Sequence, residues 1–316
     1  MEFICKKSNK ENYKNLRKSI ITFVILTLAL SSIFYYFLIS SGELFAGNGL
    51  YLLGLMWCPA LSAIVTQLIY RNNLNAMGWQ WGKTKYQLWS YAIPFFYALV
   101  TYTIIWLTGL GIFSENQLGE DISATLSQIV KVNPQIPNFL VIILGIIWVL
   151  VSALGEEIGW RGFLVPQLAK ITTFSKTALI SGIIWAIWHY PLIIFTDYNG
   201  GTTTGYSLFC FSVMIIGISF GFAWLRLKSG SLWTGVLLHT SDNLFVQGIF
   251  NSLTSETGVT KYIIGEFGIA LAIASIVVGY IFWKKQAELN VLQPTLQKTF
   301  STGAKVFNRK RVLTNF

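Results

Sequence analysis

The chain has 316 residues, of which 53% are hydrophobic and only 11% charged, with a formal net charge of +10 and a mean hydropathy of +0.57. That balance excludes an ordinary soluble domain and points to a membrane protein. The positive charge is accounted for by membrane orientation and affinity for an anionic leaflet, so no nucleic-acid partner is needed, and no recognition motif for one is present.

A basic arm with Lys6, Lys7, Lys10, Lys14, Arg17 and Lys18 leads into the first apolar run. Crossing a hydrocarbon core of roughly 30 Å takes about 20 helical residues. Eight runs of that size are expected, at about 19–40, 50–70, 90–112, 138–160, 177–196, 206–225, 231–251 and 262–283. The fourth can extend toward Pro166. The first is too long for a cleavable leader and suits a retained helix. The 113–137 loop has room for a short interfacial helix, whereas the arm before Arg17 and the tail after Lys284 read as solvated extensions.

Cytoplasmic loops retain Lys and Arg. With the N-terminus inside, that side collects the arm, Arg71, Lys83 and Lys85, Arg161, Lys170 and Lys176, Arg226 and Lys228, and the tail from Lys284 to Arg311. Only Lys131 and Lys261 fall outside, and the opposite loops carry Glu43, Glu115, Glu120, Asp121, Asp197 and Glu256. The expected fold is an all-α polytopic bundle of about eight transmembrane helices in the cell membrane, with both termini cytoplasmic. It divides into 1–137 (arm and first three helices), 138–283 (the part carrying the chemistry) and 284–316 (basic tail). Cys5, Cys58 and Cys210 are odd in number and scattered, which indicates neither a disulfide framework nor a thiolate metal site.

Ionisable groups within a bilayer are costly and mark functional sites. On these spans the inventory is Glu156 and Glu157 in the fourth helix, His189 in the fifth, and His239, Asp242 and Asn243 in the seventh, with Arg161 at the inner boundary. Glu157 and Arg161 are four residues apart and can pair on one face. Glu156 points about 100° away, free of that partner. His239 and Asn243 stand one above the other, while Asp242 falls on a neighbouring face and is left out of the site. Helical rise places Glu156, His189 and His239 at one level, nearer the cytoplasmic side. A carboxylate, two imidazoles and an amide at one depth are the parts of a hydrolase: a base takes a proton from water and donors hold the oxyanion. Gly155, Gly159 and Gly162 suggest close helix packing there, and Gly217 with Gly221 reads as ordinary packing rather than a dimer face. The aromatic content of 16% is read as interfacial belts and lipid-facing bulk rather than a cofactor box.

These residues also carry a resemblance. "EEIGWR" fits E-E-x-x-x-R, "WAIWH" fits F-x-x-x-H with Trp185 in the Phe place, and "HTSDN" fits H-x-x-x-[N/D], in that order and on successive buried helices. The second half of the chain therefore resembles the CPBP family of intramembrane proteases, related to the CAAX-processing endopeptidase and the Abi proteins. The resemblance implies peptide hydrolysis in a membrane-associated peptide or protein substrate, within membrane lipid. It implies Glu156 as the base activating water, His189, His239 and Asn243 positioning that water or holding the oxyanion, and Glu157 and Arg161 in support. Trp185 in place of Phe keeps an aromatic wall.

Two other classes compete: a non-catalytic immunity or scaffold protein, and a transporter, which would often show corresponding broken segments in both halves. Zinc is the one cofactor to weigh, and its ligands would be Glu156, His189 and His239. That choice consumes the best base, and Arg161 turns Glu157 away from the task, so the residues favour a glutamate-dependent mechanism.

Overall fold

The computed structural model describes residues 2–70, 74–115 and 138–292. The proposed interfacial helix at 113–137, Lys131 and most of the basic tail fall largely or wholly outside them. Helices α1 (Glu2–Ser41), α2 (Leu50–Tyr70) and α3 (Thr84–Leu107) precede α4 (Asn138–Glu157). A π-helical stretch, Ile158–Leu164, and the short α5 (Val165–Ala169) continue α4 without a break. Then come α6 (Phe174–Phe195), α7 (Thr204–Ser229), α8 (Trp233–Asp242), a second π-helical stretch (Asn243–Asn251) and α9 (Ile269–Lys284).

Among the described residues seven helices are long and apolar enough to cross a membrane. The expected span at 231–251 is helical, as α8 and its π-helical continuation, but is not one of these seven. The chain is thus a polytopic helical membrane protein. Its outer faces expose large apolar residues such as Ile25, Ile69, Leu88 and Leu107, which suits contact with lipid.

Two details add to the expectation. Through the arm before Arg17, expected as a solvated extension, α1 runs back to Glu2. The bundle is also not purely helical: Ile112–Phe113 and Thr254–Ser255 form a short antiparallel ribbon, with Ile112 opposite Ser255 and Phe113 opposite Thr254. The ribbon ties the loop after α3 to the end of the second π stretch.

Small residues let the helices approach closely, as membrane packing requires. A Cβ at Gly159 would lie 2.4 Å from the Pro59 Cβ in α2, and one at Gly155 2.8 Å from the Met56 carbonyl oxygen. The backbone carrying Glu156 and Glu157 is therefore seated directly on α2. Gly162 is less confined, its nearest contact being Met77 at 3.4 Å. On the other side α7 packs between α6 and α9; a Cβ at Gly217 would meet Ser275 at 2.7 Å, and one at Gly279 the Gly217 carbonyl at 2.6 Å. The G-x-x-x-G of α7 is thus used within the chain.

One expected outcome follows here. Gly159→Ala should destabilise by about 1–3 kcal/mol through overpacking, because the atoms it meets are the rigid ring and backbone of Pro59. Thermal unfolding in detergent checks this, and a melting point equal to that of the parent would contradict the packing argument.

Candidate active site

The site grows from two places where an α-helix widens into a π-helix, a feature often found at functional positions. Glu156 and Glu157 are the last residues of α4 before one such junction, and Asn243 opens the other. Between them α6 contributes Trp185 and His189.

Glu157 and Arg161 pair as expected across the first junction, with Arg161 Nη1 donating to Glu157 Oε1 at 2.8 Å and both residues buried. The guanidinium is also sandwiched by rings, 4.1 Å from the Trp185 centroid and 3.7 Å from that of Phe222. Helical spacing gave no sign of the second partner of Glu157, His239, whose Nδ1 lies 3.1 Å from the same Oε1. An ionised carboxylate only accepts, so Nδ1 carries the proton and Nε2 is left outside this bond. Oε2 of Glu157 is buried without a hydrogen-bond partner. Gly235 makes room for it, since a Cβ there would come within 2.6 Å.

Glu156 has different company. Its Oε2 accepts the indole N–H of Trp160 at 3.1 Å and that of Trp185 at 2.7 Å. It forms no salt bridge among the described residues. The Trp185 carbonyl lies 3.0 Å from His189 Nδ1. A carbonyl can only accept, so this ring too holds its proton on Nδ1 and leaves Nε2 out of the bond. The Trp185 ring lies 5.4 Å from the His239 ring and 6.2 Å from that of His189. Glu156, Glu157, Arg161, His189 and His239 are therefore brought together around one tryptophan.

Asn243 is partly buried one turn beyond His239, and its Oδ1 accepts from Gln247 Nε2 at 3.5 Å, which leaves its own amide N–H group outside that bond. Asp242 is partly buried and within electrostatic reach of Glu266.

The two histidines stand at different distances from the starts of their helices. His189 is fifteen residues beyond the start of α6 at Phe174 and only six before its end at Phe195, so about 22 Å of helix separates it from the basic end and about 9 Å from the other. His239 stands only six residues into α8, so α8 begins deeper than α6. Its start is held by the 74–82 segment, where Leu232 N–H donates to the Gly78 carbonyl and Arg226 Nη2 to that of Met77.

The reading of the aromatic residues needs correction. Trp79, Trp81, Trp89 and Trp283 are exposed as a belt would be, but Trp160, Trp185 and Trp188 are buried and build the site itself. The indole N–H needs a partner when buried, and two of these three find it on Glu156.

Two functional candidates were missed. Glu266, in the turn before α9, sits in the field of both His239 and Glu156 and within electrostatic reach of the Tyr198 hydroxyl. Desolvation pushes its carboxyl up to about 7, against the lowering effects of Tyr198 and His239. Tyr198 lies 6.3 Å from the His189 ring, and burial raises its hydroxyl well above the ordinary range, so it remains a donor. A signal for Glu266 existed, since a carboxylate inside the expected span 262–283 belongs in the inventory of buried charges.

A three-ligand zinc site does not fit these residues. Among the described residues no group of three His, Cys, Asp or Glu side chains converges as metal ligands.

Comparison with known proteins agrees with the three motifs. The family described as Type II CAAX prenyl endopeptidase Rce1-like matches residues 138–245, which include Glu156, Glu157, Arg161, His189, His239 and Asn243. CAAX prenyl protease 2 of Methanococcus maripaludis is 28% identical over 138 residues, covering 42% of this chain and 47% of the relative. The chain thus spans about half the length of the curated relative it matches. With the motifs, the matched region and this relative all in agreement, residues 138–245 are similar to the CAAX-type membrane proteases.

Proposed function

We propose that this chain is an intramembrane endopeptidase of the cell membrane, with residues 138–283 as its catalytic part and Glu156 as the base that activates water. The observation that carries the reading is a buried carboxylate that forms no salt bridge among the described residues, beside two histidines whose Nδ1 atoms are both engaged. Glu156 takes one proton from water as the water oxygen bonds to the peptide carbonyl carbon. The carbonyl π pair moves to oxygen, forming an oxyanion. His189 Nε2 accepts from the water and orients it, while Asn243, together with His239 when its ring is doubly protonated, donates to the oxyanion. Collapse of the oxyanion breaks the C–N bond, and the proton held by Glu156 passes to the leaving amine.

Glu157 and Arg161 act through their neighbours. Arg161 neutralises Glu157, and Glu157 holds the His239 ring in one orientation. The substrate class is a membrane-associated peptide or protein segment that enters from the lipid; the curated relative is named for prenylated CAAX substrates, and a prenylated C-terminus is therefore the first substrate to try.

The test is cleavage by purified protein before and after exhaustive chelation, with elemental analysis of the active sample. Turnover should persist after chelation and should not rise when zinc is returned. Stoichiometric zinc whose removal abolishes cleavage and whose return restores it would overturn the metal-independent mechanism.

A further inference from the structure

We propose that Trp160 and Trp185 are positioning residues that clamp one oxygen of Glu156 and leave the other, Oε1, as the atom that receives the proton from water. This rests on the reading of Glu156 as the base. Both indoles donate to the same atom, Oε2, from different helices and different parts of the chain. Proton transfer to Oε2 would require at least one donor to leave, and neither has anywhere to go. Trp160 is packed edge-on against Trp188 and Phe23, with centroids 5.8 and 5.7 Å away. Trp185 lies beneath the Arg161 guanidinium and edge-on to Phe222 at 5.3 Å.

The donor at 185 is this chain's own addition to the motif, because the Phe that the motif expects has a ring but no N–H. It replaces a wall with a hydrogen bond. The same residue holds His189 through its carbonyl. The base and the imidazole that orients its water are thus tied to one side chain and its backbone, and their separation is set by the rigid indole rather than by two independent rotamers.

The experiment uses the full chain in liposomes, with Trp160→Phe, Trp185→Phe and, as a control, Trp188→Phe. Trp188 is equally buried, but its indole donates to Ser31 Oγ at 2.8 Å instead of to Glu156. Two quantities are read: kcat and KM, and the infrared carboxylate band of Glu156, isolated by difference against Glu156→Gln.

Loss of one hydrogen bond to a charged group should lower kcat by about 10- to 100-fold with KM changed less than twofold. The Glu156 band should move in both Trp160→Phe and Trp185→Phe and stay in place in Trp188→Phe. An unmoved band in the first two variants, or an equal shift in the control, would overturn the clamp. If Trp185→Phe does not fold, Trp160→Phe tests the second donor alone. Because the band needs no turnover, failure of the clamp is distinguishable from failure of Glu156 as base: a shifted band with near-normal cleavage by Glu156→Gln would retain the clamp and reject the base.

Discussion

Glu156→Gln should lower turnover by about 10² to 10⁴, the usual effect of removing a general base, while abundance and melting stay close to those of the parent. Physical reasons for both halves lie in the site. The Gln amide oxygen can still accept the two indole N–H groups that Oε2 accepts, so the buried tryptophans keep their partner. No cation loses its counter-charge, because Glu156 forms no salt bridge among the described residues. The amide, however, cannot take a proton from water. Rates on a membrane-anchored peptide, set beside thermal unfolding of the same preparations, separate the two effects. A scaffold or immunity function would instead survive the substitution unchanged.

Arg161→Ala is expected to damage the fold as well as the activity. It strands Glu157, which is fully buried, and breaking a buried pair costs about 3–5 kcal/mol. It also removes the cation held between the Trp185 and Phe222 rings. The double change Glu157→Gln, Arg161→Gln should recover part of the loss by removing both charges together. Recovery is expected to be partial because the Gln at 157 bonds His239 less strongly than the carboxylate does, and because the ring contacts of the guanidinium are not restored. Melting temperature and yield of parent, single and double variants decide the point. Equal behaviour of the single and double variants would contradict the pairing.

The sequence made the scaffold legible because bilayer thickness forces a length on every apolar run and basic residues gather at one end. The spans of α2, α6 and α7 lie within a few residues of those expected. The approach of Glu157 to Arg161 was legible for a similar reason, since helical spacing fixes which side chains share a face. The bond between Glu157 and His239 was not, because it joins residues 82 positions apart and depends on how α8 is set against α4. The two π-helical stretches carry no composition of their own that would distinguish them from α-helix. The buried place of Trp160, Trp185 and Trp188 is not legible in the sequence, because composition alone does not say whether an aromatic ring faces lipid or the interior. Glu266 was overlooked although its position inside an apolar span was visible, whereas its link to Tyr198 required the turn between α6 and α7 to fold back over His189.

The central claim is that the carboxylate of Glu156 hydrolyses peptide bonds in membrane-associated substrates. The most direct measurement is a mass-spectrometric comparison of membrane-associated peptides after incubation with purified parent enzyme and with purified Glu156→Gln in the same liposomes. The account predicts defined cleavage products with the parent that disappear with Glu156→Gln, while both proteins melt alike. Near-normal cleavage by Glu156→Gln would contradict it.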